Sequence, residues 1–275
     1  DLPLLILSDD GITEPNDRLT ILCLGNIHAG EVCGKEALLM LARDLARAEK
    51  PGLLKNINLL VAPIYNADGN EQMAHDNRPG QDGPKDGMGE RHNSQGLDLN
   101  RDYVKAQAPE TRALLKLLRD WDPEVIIDTH TTNGSHHRYT LTYGGPRHPN
   151  TDPRLVDYVR ETFLPKVGDK LRDRSGYDSF FYGNFEDNHQ RWMTYPALPR
   201  YGAHYAGMRQ RIGILSEAYA YAPYKSRVLV TRDFVHECLI LAEKQRDKIS
   251  KLLTKASKPV KEVVLKHRLT SFEEK

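Results

Sequence analysis

Leu19-Thr-Ile-Leu-Cys-Leu24 is an unbroken apolar run that leads directly into the turn Gly25-Asn-Ile-His-Ala-Gly-Glu31. Apolar residues without alternation over this length indicate a strand that is buried on both faces. From Glu31 to Ala48 the apolar positions recur with helical spacing, and Pro51-Gly52 ends the pattern. The segment therefore predicts a strand, a tight turn and a helix.

The same alternation continues along the chain. Further buried strands are predicted at Ile57–Ile64, Val125–Asp128 and Ile212–Leu215, with possible strands at Leu2–Leu7 and Tyr139–Tyr143. Helices are predicted at Pro109–Trp121, at Asp152–Arg174 with a kink or break at Pro165, and at Arg227–Ala256 with Ser226 as its cap. Strands that alternate with helices predict an α/β fold, with a mostly parallel mixed sheet covered by helices on both faces.

Residues 1–257 are expected to form one domain, and the polar tail 258–275 is either an extension or the start of a further domain. Within the domain, a polar segment at 66–107 is long for a compact fold, which favours a functional loop. Residues 176–211 form an irregular region rich in aromatic side chains.

The 275 residues have 39% hydrophobic and 28% charged content and a formal net charge of +1. These values are typical of a globular protein, and they give no basic face for nucleic acid and no membrane span. Three scattered cysteines are expected to be small buried hydrophobes. The first residue is Asp1 rather than Met, so a signal peptide is conceivable; this favours a periplasmic or secreted location without fixing the compartment.

His28 and Glu31 are candidate metal ligands, because a strand-to-helix turn can direct both side chains to one point. His130 follows the strand at Val125–Asp128 and supplies a third ligand, which completes the set of a catalytic zinc site. Alternatively, His28-x-x-Glu31 is an ordinary helix start and His130 a loop histidine. His136 and His137 compete with His130 as the third ligand.

Glu217 ends another apolar strand and is the candidate general acid/base, with a pKa tuned by burial and by the metal. Its alternative is an ion pair with Arg209 or Arg211. Asn100 and Arg101 suit the recognition of a free carboxylate, whereas their alternative is a turn with an exposed arginine.

These motifs follow one another in the order His28-x-x-Glu31, Asp98-Leu-Asn100-Arg101, His130 and Glu217. The order resembles that of the zinc carboxypeptidases of the M14 (carboxypeptidase A-like) family, in a short, bacterial-type form. Asn66-Ala-Asp-Gly69 is similar to the family's Asn-Pro-Asp-Gly turn, with Ala67 in place of proline. The resemblance covers about residues 19 to 240 and implies a metallopeptidase with one zinc ion.

The resemblance also implies residue roles. His28, Glu31 and His130 would hold zinc, and Asp98 would orient His28. Glu217 would act on the attacking water, and Asn100 and Arg101 would hold the substrate's terminal carboxylate. The resemblance further implies an arginine for the oxyanion, here Arg91 with Arg78 as the alternative, and a mobile tyrosine, with Tyr201 and Tyr205 as candidates and Tyr195 behind them.

The expected function is therefore hydrolysis of a peptide or isopeptide bond next to a free C-terminal carboxylate, by a water that the metal activates. The substrate would be a peptide or a cell-wall peptide. One alternative is a zinc deacylase of the aspartoacylase or succinylglutamate desuccinylase type, which acts on N-acyl amino acids. A second alternative is an inactive module that binds peptides without cutting them.

Overall fold

The computed structural model describes residues 2–12, 14–48, 52–132, 134–186, 188–258 and 262–268. Its centre is a seven-stranded sheet, and a separate two-stranded hairpin lies beside it. The sheet strands are β1 (Leu5–Leu7), β2 (Leu19–Leu24), β3 (Ile57–Ala62), β4 (Val125–Thr131), β5 (Leu141–Gly144), β6 (Ser179–Phe181) and β9 (Ile212–Ala218), and the hairpin strands are β7 (Asn184–Glu186) and β8 (Arg191–Met193).

The strand order is β1-β3-β2-β4-β9-β5-β6. The central strands β3, β2, β4 and β9 run parallel to one another, while β1 and β5 pair antiparallel with β3 and β9. β6 pairs parallel with β5. The prediction of a mostly parallel mixed sheet is confirmed.

Helices cover both faces of this sheet. They are α1 (Cys33–Ala46), α2 (Ala67–Glu71), α3 (Pro109–Trp121), α4 (Pro153–Asp157), α5 (Leu164–Ser175), α6 (Gly202–Met208), α7 (Tyr224–Lys244) and α8 (Arg246–Ala256). The unbroken apolar run of β2 is explained by burial of both faces of the strand, because alternate residues point into two different cores. Ile21 and Cys23 belong to the core with α1, α5 and α7, whereas Leu22 and Leu24 belong to the core with α3 and α6.

Two predicted helices differ from the observed ones in detail. Ser226 is not a cap, because α7 begins at Tyr224 directly after Pro223. The predicted helix to Ala256 also divides at Gln245 into α7 and α8. Near Pro165 the helical segment continues, because a π-helical segment, Tyr158–Phe163, precedes α5 and leaves the proline in the first turn of α5. A first-turn proline removes no intrahelical hydrogen bond.

β4 and β9 extend three residues further than predicted, so that His130 and Glu217 lie within strands rather than after them. Cys23, Cys33 and Cys238 are free and buried, as expected. None of the described helices combines the length and apolar character that crossing a bilayer requires. In the predicted tail, the Val264 N–H donates to Asn150 Oδ1 at 2.7 Å, and residues 259–261 and 269–275 lie outside the described residues.

Candidate metal centre

Three buried side chains converge at the carboxyl ends of β2 and β4. His28 and Glu31 lie in the turn between β2 and α1, where the Glu31 N–H donates to the His28 carbonyl at 2.9 Å. His130 is the second-to-last residue of β4. Ligand atoms of all three lie within 4.8 Å of one another, and each residue is at most 4% exposed. The tight turn and the neighbouring strand thus bring distant parts of the chain to one point.

The Glu31 carboxylate lies at the centre of this group. Oε1 is 3.1 Å from His28 Nδ1, and Oε2 is 3.0 Å from His130 Nδ1. Oε1 also accepts from Arg78 Nη2 at 2.9 Å, and Oε2 accepts from the Thr131 N–H at 3.1 Å. Burial by itself raises the pKa of Glu31, but the neighbouring histidines and Arg78 hold that pKa well below its ordinary value. Glu31 is therefore an anion able to bind a cation.

A second carboxylate faces the outer nitrogen of each imidazole. His28 Nε2 is 3.1 Å from Asp98 Oδ1, and His130 Nε2 is 2.9 Å from Asp128 Oδ2. These acceptors favour a proton on each Nε2, which leaves each Nδ1 lone pair directed towards Glu31. Two inward imidazole nitrogens and one carboxylate are a donor set that fits zinc. The residues present therefore fit the metal that the resemblance implied.

Glu217 lies beside this group on β9. Its register partner across the parallel ladder is His130, and the side chain is only 8% exposed. Burial raises the pKa of Glu217 to about 8, and nearby Glu31 and Asp128 act in the same direction. The alternative ion pairs with Arg209 and Arg211 are absent among the described contacts, since both arginines contact Asp122 instead.

Asn100 and Arg101 lie in a short 3₁₀ turn next to the histidines. Asn100 Oδ1 accepts from the Gly202 N–H at 3.1 Å, and Asn100 Nδ2 is 3.5 Å from His130 Nε2. If His130 Nε2 carries a proton for Asp128, it cannot accept from Asn100. The Asn100 amide N–H groups are then available to a ligand. The Arg101 guanidinium lies over the Tyr201 ring, 4.5 Å from its centroid.

Asp98 has two roles in this turn. Its Oδ1 also accepts from the Asn100 N–H at 2.9 Å, so the Asx-type turn considered from the sequence is present together with the histidine contact. Its Oδ2 accepts from Arg91 Nη2 at 2.8 Å. Burial raises the pKa of Asp98, but His28 and Arg91 lower it well below its ordinary value.

Arg91 and Arg78 both lie close to Glu31, but their nearest carboxylate partners differ. Arg91 is held by Asp98, with its Nη1 3.8 Å from Glu31 Oε1, and it is partly exposed. Arg78 is 9% exposed and pairs directly with Glu31. Gly30 makes room for Arg78, because a Cβ at position 30 would lie 2.5 Å from Arg78 Cγ. Arg78 is thus paired with a proposed metal ligand, whereas Arg91 is paired with Asp98 and is the more exposed of the two.

These side chains share one cavity of about 300 Å³. Tyr201 lines it, as expected, and Tyr195 does so too. Tyr205 does not: one helical turn beyond Tyr201, its ring packs against Tyr103 at 5.4 Å. The lining residues are His28, Glu31, Arg78, Arg91, Asn100, Arg101, Asp128, His130, Thr131, Tyr182, Tyr195, Tyr201, Gly202, Ala203, Leu215 and Glu217.

Sequence reasoning missed Tyr182 and Asp128. Tyr182 follows β6, an edge strand of only three residues, and no motif marked it. Asp128 carried a readable signal, because it lies two residues before His130 on one strand and therefore shares its face. His136 and His137, the competing ligands, pack instead with Tyr221 and Trp192 and are not part of the His/Glu/His group.

The fold and this site together define an α/β protein with a buried His–Glu–His cluster of the zinc-binding kind. Residues 1–221 match the family model described as zinc carboxypeptidase. The chain belongs to the M14 zinc carboxypeptidase family.

Individual relatives agree with this assignment. Carboxypeptidase 2 of Trichophyton rubrum is 28% identical over 129 residues, which cover 46% of this chain and 21% of that protein. Carboxypeptidase D of Homo sapiens is 30% identical over 118 residues, covering 37% of this chain and 9% of that protein. The matched regions thus make up about a fifth or less of these relatives' length.

Two solved structures share the fold. A metallo-carboxypeptidase from Pseudomonas aeruginosa superposes with a TM-score of 0.63 at 17% identity, covering 90% of this chain and 62% of that one. A succinylglutamate desuccinylase/aspartoacylase from Rhodobacter sphaeroides superposes with a TM-score of 0.53 at 16% identity, covering 86% and 58%.

Proposed function

We propose that this chain hydrolyses a peptide or isopeptide bond next to a free C-terminal carboxylate, as a zinc carboxypeptidase. The single observation that supports this most is the sharing of one cavity by three kinds of group. These are the inward-facing His28–Glu31–His130 cluster, the buried Glu217, and the Asn100–Arg101 pair. Family membership supports the same reaction.

His28 Nδ1, Glu31 and His130 Nδ1 would hold one zinc ion. When bound, zinc polarises a carbonyl oxygen and lowers the pKa of a water to about 7. The chain's own contribution is to keep the His28 imidazole in the binding tautomer through Asp98. It also keeps Glu31 ionised through Arg78.

Glu217 is the proposed general base and acid. Its burial and raised pKa suit a group that takes a proton from the attacking water and returns it to the leaving amine. A positive charge at the neighbouring metal site would favour the ionised form of Glu217. The carboxylate would then be ready to accept a proton near neutral pH.

Asn100 and Arg101 would bind the substrate's terminal carboxylate. With a proton on His130 Nε2, that nitrogen cannot accept from Asn100, so the Asn100 amide donors can serve the substrate, and the Arg101 guanidinium contacts the Tyr201 ring. Tyr201 would flank the bound residue. Arg91 is the proposed donor to the oxyanion, because it lines the cavity without being paired to a metal ligand as closely as Arg78 is.

The test is a matched pair of substrates. A set of N-blocked dipeptides with a free C-terminal carboxylate is compared with the same dipeptides as C-terminal amides. Both sets are assayed with chelator and again after zinc is added back. We expect cleavage of the free acids alone, loss of activity with chelator, and recovery with zinc. Equal cleavage of acids and amides, or full activity in chelator, would contradict the proposal.

The second candidate is an N-acyl amino acid deacylase. It is favoured by the shared fold of the Rhodobacter sphaeroides protein, whose name includes both succinylglutamate desuccinylase and aspartoacylase. Adding N-acetyl-aspartate and N-succinyl-glutamate to the substrate panel separates the two candidates. Turnover of these compounds with none of the dipeptides would replace the peptidase proposal. Peptide binding without zinc and without turnover would instead indicate a binding module.

A further inference from the structure

Asp128 is a buried carboxylate for which neither the sequence motifs nor the family match provides a role. It is 3% exposed and lies two residues before His130 on β4. Residues i and i+2 of a strand point to the same face, so the two side chains lie next to each other. Asp128 Oδ2 is 2.9 Å from His130 Nε2. We propose that Asp128 is a positioning residue that fixes His130 in the orientation and tautomer that bind the metal.

This inference rests on the proposed function, because it takes His130 as a metal ligand. The only ring nitrogen of His130 that faces Glu31 is Nδ1, at 3.0 Å from Oε2. A metal at that position needs the Nδ1 lone pair, so the ring proton must be on Nε2. Asp128 Oδ2, 2.9 Å from Nε2, is the carboxylate oxygen close enough to take that proton. Asn100 Nδ2, the other polar neighbour, is a donor and cannot.

A role in fold stability alone does not account for Asp128. Its Oδ1 has no hydrogen-bond partner among the residues that the structure describes. Burial of an incompletely paired carboxylate is unfavourable. Asp102 shows the contrast, because that buried carboxylate accepts from the backbone N–H groups of Gln107 and Ala108 and so stabilises a loop.

The fold leaves space for the Asp128 carboxylate at the start of α6. A Cβ at Gly202 would lie 3.3 Å from Asp128 Oδ2 and 2.8 Å from the Tyr103 hydroxyl. The helix backbone can therefore approach this closely only because residue 202 is glycine. Asp128 and Asp98 then act in parallel, each holding the outer nitrogen of one imidazole while the inner nitrogens face Glu31.

The experiment measures zinc affinity by competition with a chelator of known affinity, on reconstituted wild type, Asp128→Ala and Asp128→Asn. We expect zinc to bind roughly 10- to 100-fold more weakly to Asp128→Ala, as is usual when the partner of a ligating histidine is lost. Asp128→Asn retains the shape, but its amide can donate to Nε2 and select the wrong tautomer, so it is also expected to bind zinc more weakly. Asp233→Asn is the control, because Asp233 is equally buried but pairs with Arg232 on α7.

Four outcomes are distinguished. If Asp128→Asn is folded and binds zinc within about twofold of wild type, the inference is overturned while the proposed function stands. If Asp128→Ala does not fold, the isosteric Asn variant alone decides. If the variants bind zinc normally but KM rises only for substrates with a cationic C-terminal residue, Asp128 contacts the substrate and the positioning role is wrong. Failure of the wild type to bind zinc would remove the proposed function itself.

Discussion

Glu217 lies directly opposite His130, where β9 and β4 pair in parallel register. The main-chain hydrogen bonds of a central, fully buried ladder fix this relationship, so no flexible loop separates the candidate base from the candidate ligand. A site built on strands holds its groups more firmly than one built on loops. The strand pairing thereby fixes the position of the candidate base relative to the candidate ligand.

Glu217→Gln is expected to fold and to bind zinc like wild type, because the amide replaces the carboxyl group with almost no change in volume and Glu217 is not a ligand. Turnover should fall roughly 100- to 10,000-fold, the usual contribution of general acid/base catalysis. Steady-state kinetics on a free-acid dipeptide, with zinc content measured on the same sample, checks this. The control is Glu124→Gln, a change at the opposite end of β4. Near-native turnover of zinc-loaded Glu217→Gln would disprove the assignment of Glu217 as general base and acid.

Glu31→Ala is expected to lose zinc. The variant lacks the carboxylate that both Nδ1 atoms face, and it leaves Arg78 next to the two histidines without its anion. The fall in zinc affinity should exceed the roughly 10- to 100-fold typical of losing an outer partner. Glu36→Ala, an exposed first-turn residue of α1, should bind zinc normally. One tightly bound equivalent of zinc in Glu31→Ala would exclude Glu31 as a ligand.

Arg101→Ala is expected to slow cleavage of substrates with a free C-terminal acid. Loss of a charged hydrogen-bonding partner costs about 1.5–3 kcal/mol, which is roughly a 10- to 150-fold fall in kcat/KM for the acids. Hydrolysis of the amides should change little. The exposed Arg119→Ala serves as the control. An unchanged kcat/KM for the free acids would place carboxylate recognition elsewhere.

The sequence predicted the parts of the fold that local patterns specify. Leu19–Leu24 and Pro109–Trp121 have the predicted bounds, because an unbroken apolar run marks a doubly covered strand and a first-turn proline marks a helix start. Ser226 failed as a cap because α7 already begins at Tyr224, with Pro223 in the cap position.

Within the site, ordered motifs predicted which residues would meet, but long-range packing determined the rest. His28 and Glu31 follow an apolar strand, and His130 and Glu217 lie near the carboxyl ends of two others, which meet at one edge of a parallel sheet. The tyrosines carried no such information. Tyr201 and Tyr205 are one helical turn apart, yet Tyr201 lines the cavity while the Tyr205 ring packs against Tyr103.

Arg91→Ala and Arg78→Ala are expected to separate the two arginines. Arg91→Ala should lower kcat roughly 100- to 1,000-fold while zinc remains bound, as expected for removal of an oxyanion donor. Arg78→Ala should mainly weaken zinc binding, because Arg78 is paired with Glu31. Measuring kcat at saturating zinc together with zinc affinity distinguishes these effects. A large loss of kcat in fully zinc-loaded Arg78→Ala, with little loss in Arg91→Ala, would reverse the two roles.

His204 is expected to make the protein less stable in acid. Burial, with nearby Arg147, lowers its pKa from 6.5 to about 3, while the ring stacks on Tyr195. Between these pH values the unfolded chain binds a proton at this site that the native state does not. The free energy of unfolding therefore falls as pH falls below 6.5, with a limiting slope of about 1.4 kcal/mol per pH unit from this group.

Urea unfolding of metal-free protein from pH 7 to pH 4 measures the slope. His204→Gln should reduce this slope by up to about 1.4 kcal/mol per pH unit, and His75→Gln, a change at an exposed histidine, should leave the slope unchanged. Identical slopes in wild type and both variants would show that His204 is not the cause of the acid sensitivity.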